Sequence, residues 1–287
     1  MWRAIAADKG AQSGARDCAE PIALTSCDML RPGAAELPLE PALAALAAEG
    51  WARVGPVVGD ETLAALRARA DDLMHGRVTY DGLFFQHDAP SGRYADLEYG
   101  RGWQGPMPDY RKIEKLEKDP LYLAFMRNPL FERIARARID GAVTLFRAVL
   151  FSKPASGGTE LPWHQDGGRF WGVDRDPTLQ IWTALDDAPV EAGCLEIVPR
   201  THLGGLATAD GGVVPKDRLA ARTDGRIAVP AVAGEVILLH NHVWHRSGRN
   251  ATGRPRRALT ICLMSAATRC LRRKRAPRVF HEMFPAP

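Results

Sequence analysis

Residues 161–166 read LPWHQD and place a histidine and a carboxylate two positions apart. Side chains alternate between the two faces of an extended strand, so His164 and Asp166 would point to the same side. Both could then bind one metal ion without strain in the backbone. One further imidazole, from a distant strand, would complete a set of two histidines and one carboxylate on one side of the ion.

The third ligand is expected within residues 243–248, VWHRSG, where His245 is the candidate. His240 and His242 are the alternatives, because they share one face of a strand by the period of two. If that strand ran on without a turn, His245 would face the opposite side. A triad of this kind leaves coordination positions open and is used by non-haem Fe(II) oxygenases.

The composition is that of an ordinary globular protein. The 287 residues are 46% hydrophobic and 25% charged, with a formal net charge of +4. The cysteines are Cys18, Cys27, Cys194, Cys262 and Cys270. Their number is odd and none forms a C-x-x-C pair, so we expect neither a disulfide framework nor a zinc site, and a cytoplasmic location. We find no signal-peptide pattern and no apolar run of membrane-spanning length, so no membrane partner is expected.

Basic residues cluster near the C-terminus. They are Arg269, Arg272, Arg273, Lys274, Arg275 and Arg278. No aromatic interleaving and no nucleic-acid motif accompanies them. We therefore expect a solvated surface segment and no nucleic-acid partner.

The N-terminal half of the chain is predicted to be mostly helical. Residues 1–36 lack periodicity and are expected to form a poorly ordered tail, with packing onto the domain as the alternative. Residues 37–141 carry helical periodicity, interrupted by a predicted strand at Trp51–Val58 and by a long segment, 76–111, which is rich in Gly, Pro, Tyr and Trp. The pair His87 and Asp88 lies in that segment, but adjacent strand residues face opposite ways, so it is not expected to bind a metal.

From Ala142 the pattern changes to short strands separated by Gly, Pro and Asp. The predicted strands are Val143–Phe151, Leu179–Leu185, Gly193–Val198, Arg226–Val232, Glu235–Leu239 and Arg257–Met264. Many short strands with turn residues between them indicate a β-sandwich or a barrel. A basic C-terminal segment, residues 266–287, follows.

Several motifs then occur in a characteristic order. They are WHQD at 163–166, WTAL at 182–185, GCLEIVPRTH at 193–202, GEVILLH at 234–240, HRSGRN at 245–250 and RRAL at 256–259. This series resembles the phytanoyl-CoA dioxygenase family of Fe(II)- and 2-oxoglutarate-dependent oxygenases. The resemblance spans about residues 40–265 and is densest from 143 to 260.

The resemblance implies a mainly β fold with flanking helices around a double-stranded β-helix, or jelly-roll (cupin-like), core at residues 142–265. Residues 37–287 would then form a single dioxygenase domain. In the family the chain turns between the positions of His240 and His245. The resemblance therefore implies His164, Asp166 and His245 as the catalytic Fe(II) ligands, with 2-oxoglutarate and O2 as cosubstrates.

The resemblance also implies a binding site for 2-oxoglutarate. Arg256 falls on the position that pairs with the distal carboxylate, a role that suits a planar and permanently charged guanidinium. Ser247 falls on the position that donates to the same carboxylate, and Trp182 on an aromatic position beside the cosubstrate. Lys112 matches a lysine that helps to bind 2-oxoglutarate in some members. Arg257 is the alternative to Arg256. Neighbouring residues of a strand point to opposite faces, so one of the two would face the inside of the barrel and the other the outside.

Substrate contacts are predicted near the metal strand, at Gln165, Arg169 and Trp171. By strand parity Gln165 would point away from the metal and make a structural hydrogen bond, and the other two could instead close the rim of the barrel. Arg246 and Arg249 depart from the family's serine motif. They either favour an anionic substrate or face solvent.

The implied reaction is hydroxylation, or another oxidation, of a small-molecule metabolite or natural-product intermediate, with release of succinate and CO2. Related halogenases carry a small residue where this chain has Asp166, so the carboxylate favours hydroxylation, and desaturation and ring formation stay open. One alternative is a catalytically silent jelly-roll protein that binds a ligand or metal, but such a protein has no need of Arg256. Another is a Zn-dependent hydrolase with the same ligands, which gives no role to Arg256 and Ser247.

Overall fold

The computed structural model describes residues 25–26, 28–100, 102–155, 157–220, 222–273 and 276–287. Most of the predicted N-terminal tail, residues 1–24 and 27, lies outside these ranges. Within them, no helix combines the length and the apolar character needed to cross a membrane.

Local signals in the sequence set the helix ends. The α-helices of the described chain are α1 (Glu40–Glu49), α2 (Asp60–Met74), α3 (Pro120–Met126), α4 (Pro129–Arg136) and α5 (Lys216–Ala220). Helix α1 ends at Gly50, whose φ of 80° suits a residue without a side chain. Helix α4 begins after Asn128, whose Oδ1 accepts a hydrogen bond from the backbone N–H of Phe131 at 2.9 Å.

Most of the strands lie after residue 142. The strands of the described chain are β1 (Trp51–Pro56), β2 (Phe84–His87), β3 (Tyr110–Glu114), β4 (Val143–Lys153), β5 (Leu161–Gln165), β6 (Leu179–Ala184), β7 (Leu195–Val198), β8 (Gly212–Val213), β9 (Ile227–Val229), β10 (Glu235–Leu239), β11 (Trp244–Ser247), β12 (Arg256–Ser265) and β13 (His281–Phe284). The predicted strands match six of these to within a few residues at each end.

The strands form two antiparallel sheets. The large sheet has eight strands in the order β1-β10-β6-β12-β4-β3-β2, with β13 paired to β4. The small sheet has five strands in the order β8-β5-β11-β7-β9. Sequence neighbours are rarely sheet neighbours, because the chain crosses repeatedly between the two sheets, as it does in a jelly roll.

The central strands of the large sheet, β4, β6 and β12, are buried on both faces. On the outer face, Leu150, Ile181 and Leu259 join one apolar core with helix residues such as Leu66 and Phe131. Helix packing on that face keeps these strands apolar at every second position. The inner face turns toward the small sheet and carries polar side chains.

Segments at both ends of the described chain contact the sheets. Met29 and Leu30 are buried and Leu30 bridges to Val58, so residues 28–36 pack onto the domain, which was the alternative to a poorly ordered tail. Their apolar side chains gain more from burial than the chain loses in conformational freedom. The predicted helical part also supplies β1, β2 and β3 to the large sheet, and the basic C-terminal segment supplies β13.

Candidate functional site

The predicted triad comes together between two paired strands of the small sheet. His164 on β5 lies opposite His245 on β11 in the antiparallel register, and their ring centroids are 4.0 Å apart. Asp166 follows directly after β5. One ligand atom from each of the three residues lies within 4.8 Å of the others. The Nε2 atom of His245 is 3.8 Å from Oδ2 of Asp166, so both atoms face the same point in space.

Hydrogen bonds within each strand set the tautomers of the two histidines. Nδ1 of His164 lies 2.9 Å from the carbonyl oxygen of Pro162, and Nδ1 of His245 lies 2.9 Å from that of Val243. A carbonyl oxygen only accepts, so each ring carries its proton on Nδ1. The Nε2 lone pairs are therefore left to bind a metal ion, as in most protein metal sites.

Two side chains of the large sheet hold the Asp166 carboxylate. Arg147 donates from Nη2 to Oδ1 at 2.9 Å, and Gln180 donates from Nε2 to Oδ2 at 2.8 Å. Burial opposes ionisation of Asp166, but the Arg147 charge and the two imidazoles hold its pKa well below the usual range. Burial, together with the neighbouring His245, lowers the pKa of His164 to about 3. The carboxylate is therefore ionised and the His164 imidazole neutral at pH 7, the forms that a metal ion requires.

The Arg147 guanidinium is itself held by aromatic rings. Its central carbon lies 4.7 Å from the ring of Trp171, and Trp171 stacks on Phe146 at 4.2 Å between centroids and 5° between planes. Sequence reasoning missed Arg147 and Gln180. A signal was present. Arg147 interrupts the apolar run from Leu145 to Leu150, Gln180 stands between Leu179 and Ile181, and both point to the inner face of the large sheet.

A cavity extends from the triad into the space between the sheets. The space free of protein atoms there amounts to about 620 Å³, open solvent included. Trp182, Ser247 and Arg256, all predicted to bind the cosubstrate, line this cavity together with the triad. Cavity residues that the sequence reading missed are Arg111, Arg147, Lys153, Thr159, Gln180 and Thr260.

Arg256 and Arg257 have different environments, as strand parity requires. Arg256 is 3% exposed and its guanidinium lies 5.9 Å from the ring of Trp182. Its Nη2 donates to the carbonyl oxygen of Gly193, while its Nε has no partner. Burial lowers the pKa of Arg256 to about 10. Arg257 instead pairs on the outer side with Asp186 at 2.8 Å and with Asp71 at 2.9 Å.

The alternative histidines lie apart from the triad. His242 is within 3.1 Å of Asp176 through Nε2, and the Nδ1 of His240 accepts from the backbone N–H of His242 at 3.0 Å. His240 also packs against His202, with 4.9 Å between ring centroids. The chain bends between β10 and β11, so His245 does not continue the face of His240.

Lys112 does not reach the cavity. Its ammonium is 2.6 Å from Oε1 of Glu114, which shares its face of β3 two residues along the strand. The expectation that Lys112 binds 2-oxoglutarate stays a prediction, and in this structure its charge is paired with the local carboxylate. The cations in the cavity lining are Arg111, Arg147, Lys153 and Arg256.

The three predicted substrate contacts also lie outside the cavity lining. Gln165 donates from Nε2 to the carbonyl oxygens of Gly205 and His242 at 2.8 and 2.7 Å, and its Oε1 accepts from Ala207 at 2.6 Å. Because side chains alternate along a strand, Gln165 points away from the metal ligands. This agrees with the structural hydrogen bond that was the alternative to a substrate contact. Arg169 is exposed and pairs with Asp210, because the glycine turn after Asp166 carries it to the surface. Trp171 packs behind Arg147.

The donor set suits an Fe(II) ion. Two imidazole nitrogens and one ionised carboxylate converge on one point, with no fourth protein ligand beside them among the described residues. That set leaves positions open on the side that faces the cavity. The buried Nε of Arg256, which has no partner, fits an anionic molecule bound next to the metal.

Known proteins share both this sequence pattern and this fold. The chain is 30% identical over 159 residues to the phytanoyl-CoA dioxygenase domain-containing protein 1 of Bos taurus, covering 52% of this chain and 54% of that protein. It thus spans about half the length of that relative. Among solved structures, AviO1 from Streptomyces viridochromogenes Tue57 is 26% identical with a TM-score of 0.58, covering 80% of this chain and 96% of that one.

A further solved structure is the epimerase SnoN in complex with Fe3+, α-ketoglutarate and nogalamycin RO. It is 20% identical with a TM-score of 0.65, and the likeness covers 85% of this chain and 98% of that one. At this identity it bears on the fold alone, and together with the sheet order it confirms the predicted jelly-roll core. The sequence also matches the phytanoyl-CoA dioxygenase (PhyH) family over residues 47–258, well over half of its length, and the chain therefore belongs to that family.

Proposed function

We propose that this chain is an Fe(II)- and 2-oxoglutarate-dependent dioxygenase that hydroxylates, or otherwise oxidises, a small-molecule metabolite or natural-product intermediate. The observation that carries the proposal is a single cavity that has the His164–Asp166–His245 triad in its wall and the unpaired guanidinium of Arg256 in the same lining. A metal ion alone would not require that buried cation. A cosubstrate with a carboxylate at the end away from the metal would.

The triad would hold the iron through the two Nε2 atoms and the carboxylate of Asp166. The chemistry that iron supplies in such a site is activation of O2, coupled to oxidation of 2-oxoglutarate to succinate and CO2. Arg147 and Gln180 orient the ligand carboxylate before any ion arrives. This removes the cost of ordering it on binding.

Other cavity residues would bind the cosubstrate and exclude water. Arg256 would donate to the distal carboxylate, with the hydroxyl of Ser247 as a second donor and the ring of Trp182 packed alongside. Apolar side chains of Phe151, Leu195 and Leu239 close the remaining walls. A dry pocket strengthens each of these charge interactions.

The substrate is expected to be a small molecule, because the triad lies in the wall of a cavity between the two sheets. SnoN, with nogalamycin RO, and EctD from S. alaskensis, with 5-hydroxyectoine, are similar in fold and hold small molecules. We further propose that residues 37–287 act as one domain in the cytoplasm. The absence of disulfides among the described cysteines, Cys194, Cys262 and Cys270, is consistent with that compartment.

The test begins with the metal-free protein under anaerobic conditions. Addition of Fe(II) and then 2-oxoglutarate should produce the metal-to-ligand charge-transfer band of a chelated 2-oxo acid. Admission of O2 with pools of candidate metabolites should then release succinate. Failure of the band to form in the wild-type protein, with Asp166→Ala as the negative control, would refute the proposal.

The same experiment separates the two alternatives. A silent binding protein would form the band but release no succinate with any pool. A Zn-dependent hydrolase would turn over with zinc in the absence of 2-oxoglutarate and O2. Neither alternative explains why Arg256 is buried at the cavity without an acidic partner.

A further inference from the structure

A continuous stack of side chains connects the candidate metal site with the C-terminal segment. Arg147, which donates to Asp166, has its central guanidinium carbon 4.7 Å from the centre of the Trp171 ring. The Trp171 ring is stacked on Phe146, with 4.2 Å between centroids and 5° between planes. The central carbon of Arg278 lies 4.7 Å from the Phe146 centroid. We call these four side chains, Arg147, Trp171, Phe146 and Arg278, the aromatic stack.

The outer end of the aromatic stack belongs to the C-terminal segment. The Arg278 guanidinium also lies 5.0 Å from the ring of Phe280, and its Nη2 donates to the backbone carbonyl oxygen of Phe146. The two stacked rings are buried, with Trp171 7% and Phe146 4% exposed. A cation held against an aromatic face is bound more tightly when the contact is shielded from water. Arg278 is therefore fixed to β4 both through a ring and through the backbone.

The C-terminal segment also holds the turn that carries Trp171. The backbone N–H of Leu271 donates to the carbonyl oxygen of Gly172 at 2.8 Å, and the backbone N–H of Asp174 donates to that of Arg269 at 3.0 Å. The side chain of Arg269 donates in return to the Asp174 carboxylate at 2.8 Å. The position of the Trp171 ring thus depends on contacts with the C-terminal segment as well as on β4.

Charge provides a second link between Arg278 and Arg147. Burial opposes ionisation of the Glu114 carboxyl on β3, but three neighbouring cations lower its pKa. They are Lys112, Arg147 and Arg278. The Glu114 carboxylate is thus within electrostatic reach of both guanidinium groups. Removal of the Arg278 charge would leave this carboxylate to attract Arg147 more strongly, in competition with Asp166.

We propose that Arg278 is a positioning residue for the metal site and acts on Asp166 through the aromatic stack. The inference rests on the proposed function, because it requires the triad to bind iron. With Arg278 in place, the stacked rings hold the Arg147 guanidinium against the Asp166 carboxylate. Without it, the rings lose one of their cations and Arg147 is free to turn toward Glu114. One residue of the basic C-terminal cluster would thereby set the orientation of a metal ligand.

The experiment is a double-mutant cycle read by Fe(II) affinity under anaerobic conditions. Wild type, Arg278→Met, Arg147→Met and the double variant are compared by competition with a coloured chelator, and the metal-free proteins by their melting temperatures. Arg278→Lys tests whether another cation in the same place suffices. Arg127→Met is the matched control, because Arg127 also ties down the C-terminal segment, by a 3.0 Å hydrogen bond to the carbonyl oxygen of Glu282, outside the stack.

We expect Arg278→Met to weaken Fe(II) binding by about three- to tenfold, which is less than the loss for a residue that touches a metal ligand directly. Arg278→Lys should recover part of the affinity, because an ammonium also binds an aromatic face. The double variant should bind Fe(II) no more weakly than Arg147→Met alone, because the two residues act along one path. Arg127→Met should leave the affinity unchanged even if it lowers the melting temperature.

Hydrogen exchange of the metal-free protein gives a readout that needs no iron. In Arg278→Met we expect faster exchange in residues 167–172, which carry Trp171, because one of the contacts that hold its ring is gone. Exchange in β11, which carries His245, should match wild type. Faster exchange in both segments would indicate a general loss of stability instead of a local effect on the stack.

Three results would overturn the inference. They are unchanged Fe(II) affinity in Arg278→Met, losses that simply add in the double variant, and an equal loss of affinity in Arg127→Met, which would indicate general loosening of the C-terminal segment. If Arg278→Met does not fold, Arg278→Lys takes its place in the cycle under the same criteria. If the wild-type protein binds no Fe(II), the proposed function fails. If it does and Arg278→Met binds equally well, only the role of Arg278 fails.

Discussion

Arg147 on β4 donates to Oδ1 of Asp166 at 2.9 Å, so the carboxylate between the two candidate histidine ligands is anchored from behind by a guanidinium. The other oxygen, Oδ2, is the one that lies 3.8 Å from Nε2 of His245. Strand β4 of the large sheet thereby orients a candidate metal ligand, Asp166, that follows strand β5 of the small sheet. Stacking on Trp171 holds the guanidinium in place.

We predict that Arg147→Met weakens Fe(II) binding by roughly ten- to a hundredfold, the usual cost of losing a residue that orients a metal ligand. The Asp166 carboxylate would lose its fixed orientation and its buried counter-charge. Competition with a coloured chelator measures the affinity. Arg147→Lys should recover part of it, and equal affinity in all three proteins would show that Gln180 alone suffices.

Replacement of the triad should abolish metal binding, one residue at a time. His164→Ala, Asp166→Ala and His245→Ala each remove one of three ligands, so we expect no stoichiometric Fe(II) binding and no succinate release. His240→Ala and His242→Ala are the controls, since these rings contact each other and Asp176 instead. If the His242 variant lost Fe(II) binding and the His245 variant kept it, His242 and not His245 would be the third ligand.

The two adjacent arginines should separate cosubstrate binding from stability. Arg256→Met should weaken 2-oxoglutarate binding by tenfold or more without a large change in folding, following the cost of a charged hydrogen bond. Arg257→Met breaks the pairing with Asp186 and Asp71, and should lower the free energy of unfolding by roughly 1–3 kcal/mol. Urea unfolding and anaerobic titration measure the two quantities. The reverse pattern would mean that Arg257 faces the cavity in solution.

Gln165 is predicted to stabilise a loop and to have no contact with substrate. Gln165→Ala removes two hydrogen bonds that tie the segment from Gly205 to Ala207 to β5 and a third to the carbonyl oxygen of His242, at a cost of roughly 1–3 kcal/mol. Hydrogen exchange should show faster opening of that segment. The apparent KM for a substrate, once one is known, should change little at a temperature where the variant is folded.

The ligand-free protein should become more stable with rising pH through Lys153. Its folded pKa is about 7 and its unfolded pKa is about 10.4, so the unfolded state binds more protons between these values. The penalty of the buried charge is complete below pH 7 and decreases as the pH rises toward 10. The groups that act on Lys153 are Arg256, Arg111, Asp88 and Glu160.

The measurement is the free energy of unfolding of wild type minus that of Lys153→Met, from pH 6 to 10. We expect this difference to increase with pH, because only the wild type loses a proton on folding. A difference that stays constant over the whole range would show that Lys153 is solvated or already paired.

Short-range spacing predicted which way several candidate site residues point. His164 and Asp166 share a face because a strand has a period of two, and Arg256 and Arg257 are divided between inside and outside for the same reason. The order of motifs was enough to indicate a jelly roll of the phytanoyl-CoA dioxygenase family. It also directed attention to His245, which simple strand parity with His240 would have placed on the wrong side.

Other features could not be predicted because they depend on which strands become neighbours. Lys112 seemed suited to bind a cosubstrate, but the nearby Glu114 takes its charge. Arg147 and Lys153 lie on β4, and only the contacts of β4 with β12 and with the metal strand give them partners or leave them without one. By itself, then, the sequence determined the type of each ligand and its parity, since both follow from local backbone geometry. The tertiary structure alone decided which distant charges meet in the cavity, because sheet register and packing between the two sheets set those distances.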